Sequence, residues 1–119
     1  MIVTVDDHLR GKGERAAALF RRFEEAVRVC GPVILAPAKT RIGFQARMIF
    51  AAVSVGADRL DGHVVLARRL EHPRFTRIES LSARNHVHHF RFRDPAEIDG
   101  EVLGWLREAY AVGQQKHLG

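Results

Sequence analysis

The chain has 119 residues, 46% hydrophobic and 28% charged, with 19 Lys and Arg against 14 Asp and Glu, a formal charge of +5 and a pI near 10.3. That length suits one domain, 1–119, able to bury about two thirds of its unfolded surface without a staple, and the single cysteine, Cys30, excludes a disulfide framework or a Cys-based zinc site within the chain. The start, 1–7, has neither a basic n-region nor an apolar h-region, and the longest largely apolar run, 48–56, is too short to span a bilayer, so a cytoplasmic protein with no membrane partner is expected.

Residues 1–12 read as an extended lead-in or a short turn. The spacing of Leu19, Phe20, Phe23, Ala26, Val27 and Cys30 predicts an amphipathic helix over 13–30, with Arg21, Arg22, Glu24, Glu25 and Arg28 on its wet face and Gly31-Pro32 as its stop. Strands are predicted over 32–36, 40–46, 48–55, 63–69, 75–81 and 86–93. The second alternates Ile42, Phe44 and Ala46 on one face with Arg41, Gly43, Gln45 and Arg47 on the other, and the third is apolar on both faces. Gly56-Ala57-Asp58 and Asp61-Gly62 read as turns, and Glu71-His72-Pro73 as a break. In the last strand His88, Phe90 and Phe92 face one way and Val87, His89, Arg91 and Arg93 the other. A second helix begins at Asp94-Pro95, with Glu97 three after the cap, and carries Ile98, Val102, Trp105, Leu106 and Ala109 on one face; residues 115–119 read as a frayed tail. The fold class is α+β: an antiparallel meander sheet of about five or six strands with the N-terminal and C-terminal helices packed on one face.

Charge is unevenly placed. Residues 32–93 hold 11 Lys and Arg against 4 Asp and Glu, whereas 94–119 hold 2 against 5. A basic sheet beside acidic or neutral helices points to anionic partners. Sixteen of the 19 cations are Arg, however, a bias that genome composition also produces.

The stretches Asp7-His8-Leu9-Arg10-Gly11-Lys12, Gly31-Pro32-Val33, Ala38-Lys39-Thr40-Arg41-Ile42-Gly43-Phe44, Phe50-Ala51-Ala52-Val53, His88-His89-Phe90-Arg91-Phe92 and Asp94-Pro95-Ala96-Glu97-Ile98-Asp99 together make most of the chain resemble the bacterial domain-of-unknown-function 5655 family. The resemblance implies a small α+β domain, found alone or appended to other bacterial domains, with no activity or site to carry over. Leu9 stands where an aromatic is common, and the middle strands are richer in Arg and His than the family pattern.

Candidate sites are few. Lys39, Arg41, Arg47, Arg91 and Arg93 form the anion-binding set, since planar guanidinium groups suit phosphates. The strand aromatics share the opposite, core face, which disfavours base stacking. His63, His86 and His88 are the weak candidates for a metal site, although His88 shares the Phe90/Phe92 face and fits a semi-buried structural role as well. Gly11-Lys12-Gly13 lacks the P-loop spacing, Ser54 lacks the glycine of a nucleophile elbow, and no carboxylates show nuclease spacing. The expectation is a non-catalytic binding or accessory module with no cofactor, taking an anionic ligand or nucleic acid. The alternatives are a protein that self-associates as a homodimer through its sheet, and a histidine-based metal enzyme.

Overall fold

Thr4 starts the first ordered element. Its hydroxyl accepts from the Asp7 N–H at 3.2 Å while the Asp7 carboxylate accepts from the Thr4 N–H at 2.8 Å, a reciprocal cap that turns Val5–Leu9 into a short helix, α1. The segment is therefore not an extended lead-in; five residues are too few to show a helical period. The computed structural model describes residues 2–116, so 117–119 of the expected tail lie outside the described residues.

Helix α2, Glu14–Cys30, buries the stripe its spacing predicts: Leu19, Phe20, Phe23, Ala26 and Val27. Glu24 on the wet face accepts from Arg21 at 3.1 Å and Arg28 at 3.0 Å. Gly31 ends the helix at φ 147°, a conformation glycine adopts without strain. A Cβ there would also lie 2.6 Å from the Tyr110 hydroxyl, which donates to the Pro32 carbonyl at 2.7 Å.

Six strands follow: β1 Ile34–Pro37, β2 Ile42–Gln45, β3 Ile49–Val55, β4 Leu60–Leu66, β5 Phe75–Ser82 and β6 Asn85–Phe92. All pairings are antiparallel, in one open sheet of order β1-β2-β3-β4-β6-β5. The sheet is a meander as far as β4. There β6 pairs directly with β4, and β5 takes the outer edge beyond β6. The 67–74 connection passes the helix side of β6, where the Leu70 N–H donates to His88 Nε2 at 2.9 Å.

The C-terminal helix begins later than its first capping signal. Asp94 and Glu97 do form a capping box, but it closes only a 3-10 turn, Pro95–Glu97. Helix α3, Gly100–Gly113, has its own cap, Asp99, whose carboxylate accepts from the Val102 N–H at 3.2 Å. Arg74, at the end of the crossing segment, pins this start through Asp99 at 3.1 Å, Glu101 at 3.2 Å and the Glu97 carbonyl. Arg68 grips Glu108 one face along with two bonds of 2.9 and 3.0 Å.

Strand register sorts every side chain to a face. Ile42, Val53, Gly62 and Phe90 make one row, Phe44, Ala51, Val64 and His88 the next, and Val55, Leu60 and Phe92 a third. These rows meet α2 and α3, and with Phe20, Phe23, Trp105 and Leu106 they form the single core. Phe23 packs on both Phe44 and Phe90, at ring separations of 5.3 and 5.6 Å. Phe50 is the extra residue of a bulge between β2 and β3; its ring turns to Tyr110 at 5.4 Å. The two long helices thus cover one sheet face, and among the described residues no helix covers the other, the bare face.

Asp61-Gly62, a turn by composition, lies inside β4. Gly62 is there for space: a Cβ would sit 2.6 Å from the Ala52 carbonyl oxygen and 2.9 Å from both Phe90 Cζ and Val53 Cγ1. The carbonyl belongs to a paired central strand and has no room to retreat. Gly62→Ala is expected to destabilise the protein by about 1–3 kcal/mol, the usual cost of overpacking, read as a lower urea midpoint at an unchanged slope. A variant as stable as the parent would show that β3 and β4 part readily there.

Candidate functional site

The bare face has its own rows. Ser54, Asp61 and Arg91 pair across β3, β4 and β6; Ala52, His63, His89 and Arg77 pair across β3, β4, β6 and β5. Arg41, just before β2, comes in beside Ser54, whose hydroxyl donates to the Thr40 carbonyl at 2.9 Å. The twist of the sheet hollows these rows into a basin of about 460 Å³ lined by Arg41, Ser54, Asp61, His63, Arg77 and His89, among others.

Inside it the charges are arranged in pairs, with one exception. Asp61 accepts from Arg91 at 2.6 Å and from Arg59 at 3.0 Å; these guanidinium groups hold its carboxyl below the usual range against the opposing effect of burial. Glu79 accepts from His89 Nε2 at 2.7 Å and from Arg77 at 3.0 Å, and those two contacts hold its carboxyl low as well. Arg77 also lies 3.3 Å from His89 Nε2, but that nitrogen's hydrogen is committed to Glu79, so it has no lone pair to offer the arginine. Arg93 reaches Asp58 at 3.6 Å. Arg41 is exposed and has no ion pair among the described residues.

His63 is a partly buried group of the basin. Burial, then the neighbouring His89 and Arg41, push its pKa down to about 4, against a weak opposing pull from Glu79. It is therefore a neutral imidazole near pH 7. His89 is its closest ring neighbour, with centroids 5.5 Å apart.

The anion-binding set is only partly gathered. Lys39 and Arg41 belong to the β1–β2 turn, and of the two Arg41 lines the basin. Arg91 and Arg93 lie along the same end of β6, each held by an aspartate. Arg47 is not a strand residue: it sits in the β2–β3 turn at the opposite end of β2, its N–H donating to the Gly113 carbonyl at 2.9 Å. Of the 11 cations in the middle block, Arg59, Arg68, Arg69, Arg74, Arg77, Arg91 and Arg93 are in ion pairs. Two of them, Arg68 and Arg74, spend their charge on the acidic helix α3 rather than on the bare face.

The three metal candidates do not converge. His63 opens on the bare face. His88 is on the covered face, fully buried, with Nε2 accepting from Leu70 and Nδ1–H donating to the His86 carbonyl at 2.9 Å. His86 uses Nε2–H on the Ala83 carbonyl at 3.1 Å and Nδ1 on the Ser80 hydroxyl at 2.8 Å. Among the described residues, no group of three His, Cys, Asp or Glu is placed to hold a metal ion, and no helix is long and apolar enough to cross a membrane.

Sequence reasoning missed Asp61 and the Glu79–His89 pair. Asp61 was hidden by its turn-like Asp-Gly context, although the alternation Leu60, Gly62, Val64, Leu66 marks a strand running through it. The family model described as Domain of unknown function (DUF5655) matches residues 5–113. No curated protein and no solved structure matches the chain.

Proposed function

The chain belongs to that domain-of-unknown-function family, and since its description names no chemistry, we propose from the bare face that the protein is a non-catalytic binding module for a small anionic ligand, seated in the basin with Arg41 as its anchor. The observation that carries this reading is Arg41 itself: an exposed guanidinium without a carboxylate partner among the described residues, at the rim of a concave basin otherwise balanced in charge. Lys39, two residues earlier in the same turn, is a second cation close to it in the chain. A neutral His63 offers the ligand a hydrogen-bond donor or acceptor without a competing charge.

A small anion fits better than a nucleic acid. The aromatics that would stack on bases, Phe44, Phe90 and Phe92, are buried under the helices. Arg91 and Arg93, the other phosphate candidates, are held by Asp61 and Asp58. A polyanion would have to displace those carboxylates.

Titration with inorganic phosphate, pyrophosphate and citrate, followed by amide and imidazole NMR shifts, tests the proposal. Shifts are expected at Arg41, His63 and His89. Arg41→Glu is expected to weaken binding by about 10- to 100-fold, the worth of a charge-assisted hydrogen bond to an anion. The absence of any shift at millimolar phosphate, pyrophosphate and citrate, or shifts indifferent to Arg41→Glu, would overturn the reading. Retardation of DNA or RNA that falls steeply with salt and is lost on changing Arg91 and Arg93 to Glu would replace it with a nucleic-acid reading.

A further inference from the structure

The two edges of the sheet are built differently. The β1 edge is four residues long and ends in Pro37, which suits an edge that is meant to stay single. The β5 edge is eight residues long, contains no proline, and has six exposed residues. One of them, Leu81, keeps 69% of its surface in water. A long exposed edge strand presents unpaired backbone donors and acceptors to any strand that fits.

We propose that β5 is a homodimerisation edge: a second copy of this chain adds antiparallel to it, joining two six-stranded sheets into one across a two-fold axis at Ile78. The surface is separate from the anchor of the anion basin, and the inference does not depend on that reading.

The sequence of β5 selects both the partner and the register. A two-fold axis perpendicular to the sheet keeps the helix-covered faces of both copies on one side, so pairing must match face with face. Ile78 lies on the covered side, opposite His88, and Arg77 and Glu79 lie on the bare side, opposite His89 and Val87. Face matching also requires the axis to pass through a residue, because side chains alternate between faces and an axis between two residues would set a covered-face side chain opposite a bare-face one. An axis at Arg77 would set Arg77 against its own copy, and an axis at Glu79 would do the same with two carboxylates. An axis at Ile78 sets Arg77 opposite Glu79 of the second copy twice, within the regular stretch 77–80. Moving the axis further toward either end shortens the overlap. Arg77 and Glu79 are exposed enough, at 65% and 47% of their side-chain surface, to re-pair across the axis. The bulges of β5 lie at Thr76 and Leu81, and leave 77–80 regular around the axis.

One added strand pair buries a small area, so the dimer is expected to be weak and to assemble at about 10–500 µM. Sedimentation equilibrium over that range should show the mass rising from 13.4 kDa toward twice that value. Arg77→Glu and Glu79→Arg each place like charges opposite one another and should raise the dissociation constant at least about tenfold. Mixed in equal amounts the two variants become complementary, and the mixture should dimerise at the concentration of the parent. Circular dichroism confirms that each variant is folded. A parent chain monomeric throughout the range would overturn the proposal. A dimer indifferent to these substitutions, or variants that fail to rescue each other, would equally do so.

Discussion

His88→Leu is expected to cost about 2–3 kcal/mol of folding stability, because it removes the acceptor for a buried backbone N–H and fills the space with a group that cannot replace it. His88 is fully buried, and burial is the main force holding its pKa below the ordinary histidine range. Its neutral ring works as a two-ended bracket: Nδ1–H on the His86 carbonyl, Nε2 on the Leu70 N–H. The second bond fixes the crossing segment against β6 between the Phe75 ring, 4.8 Å away, and the core. His88→Gln keeps an amide oxygen that can accept from Leu70, and should recover part of the loss. Urea unfolding of the three proteins at pH 7.5 or so decides it, since both states of the parent are then mostly neutral at this site. A leucine variant as stable as the parent would mean that Leu70 finds water or another acceptor, and that His88 is packing alone.

That bracket also shows what the sequence made legible. The alternation His88, Phe90, Phe92 places the histidine on the core face, and the structure keeps it there. Helix α2 follows from its periodicity, and the interior place of β3 in the sheet from its continuous apolar run, in the same direct way. What periodicity does not carry is neighbourhood. The β5 strand has a plain strand pattern, but its place outside β6 depends on how the 67–74 segment crosses the core, held by Leu70, Arg74 and the Phe75–Trp105 contact at 4.4 Å. Charge is misread for the same reason. The excess of cations in the middle block looks like a basic face when counted along the chain. In space, Arg74 and Arg68 belong to helix α3, and Arg91 belongs to Asp61.

Asp61-Gly62 is the sharpest case. Asp-Gly is the strongest short turn signal there is, yet here the glycine answers a steric demand from Phe90 and Ala52, two strands on either side. The aspartate that precedes it then points to the bare face and cancels the charge of Arg91. Among the described residues that line the basin, only Arg41 keeps an unpaired cation, the character that composition assigns to the whole face.

Acidification is expected to cost the parent protein about 3 kcal/mol of stability through His63, and His63→Gln is expected to abolish that loss. In the unfolded chain this imidazole titrates at its ordinary value of 6.5; in the folded basin it titrates at about 4, because burial, His89 and Arg41 all disfavour the cation. Above pH 6.5 both states are neutral and titration adds nothing. Between 6.5 and 4 the unfolded chain takes up a proton that the folded chain refuses, so stability falls as pH falls, by about 1.4 kcal/mol per pH unit. Below the folded value both states are protonated and the loss levels off. His88 moves in the same direction, but it is present in both proteins and drops out of the difference between them. Asp61 and Glu79, held low by their arginines and His89, are likewise common to both. Urea midpoints of parent and variant from about pH 7.5 down to 4.5 measure the effect. The two stability curves should converge as the parent falls faster. Parallel curves would show that His63 accepts its proton in the folded state and that the basin is wetter than its geometry implies.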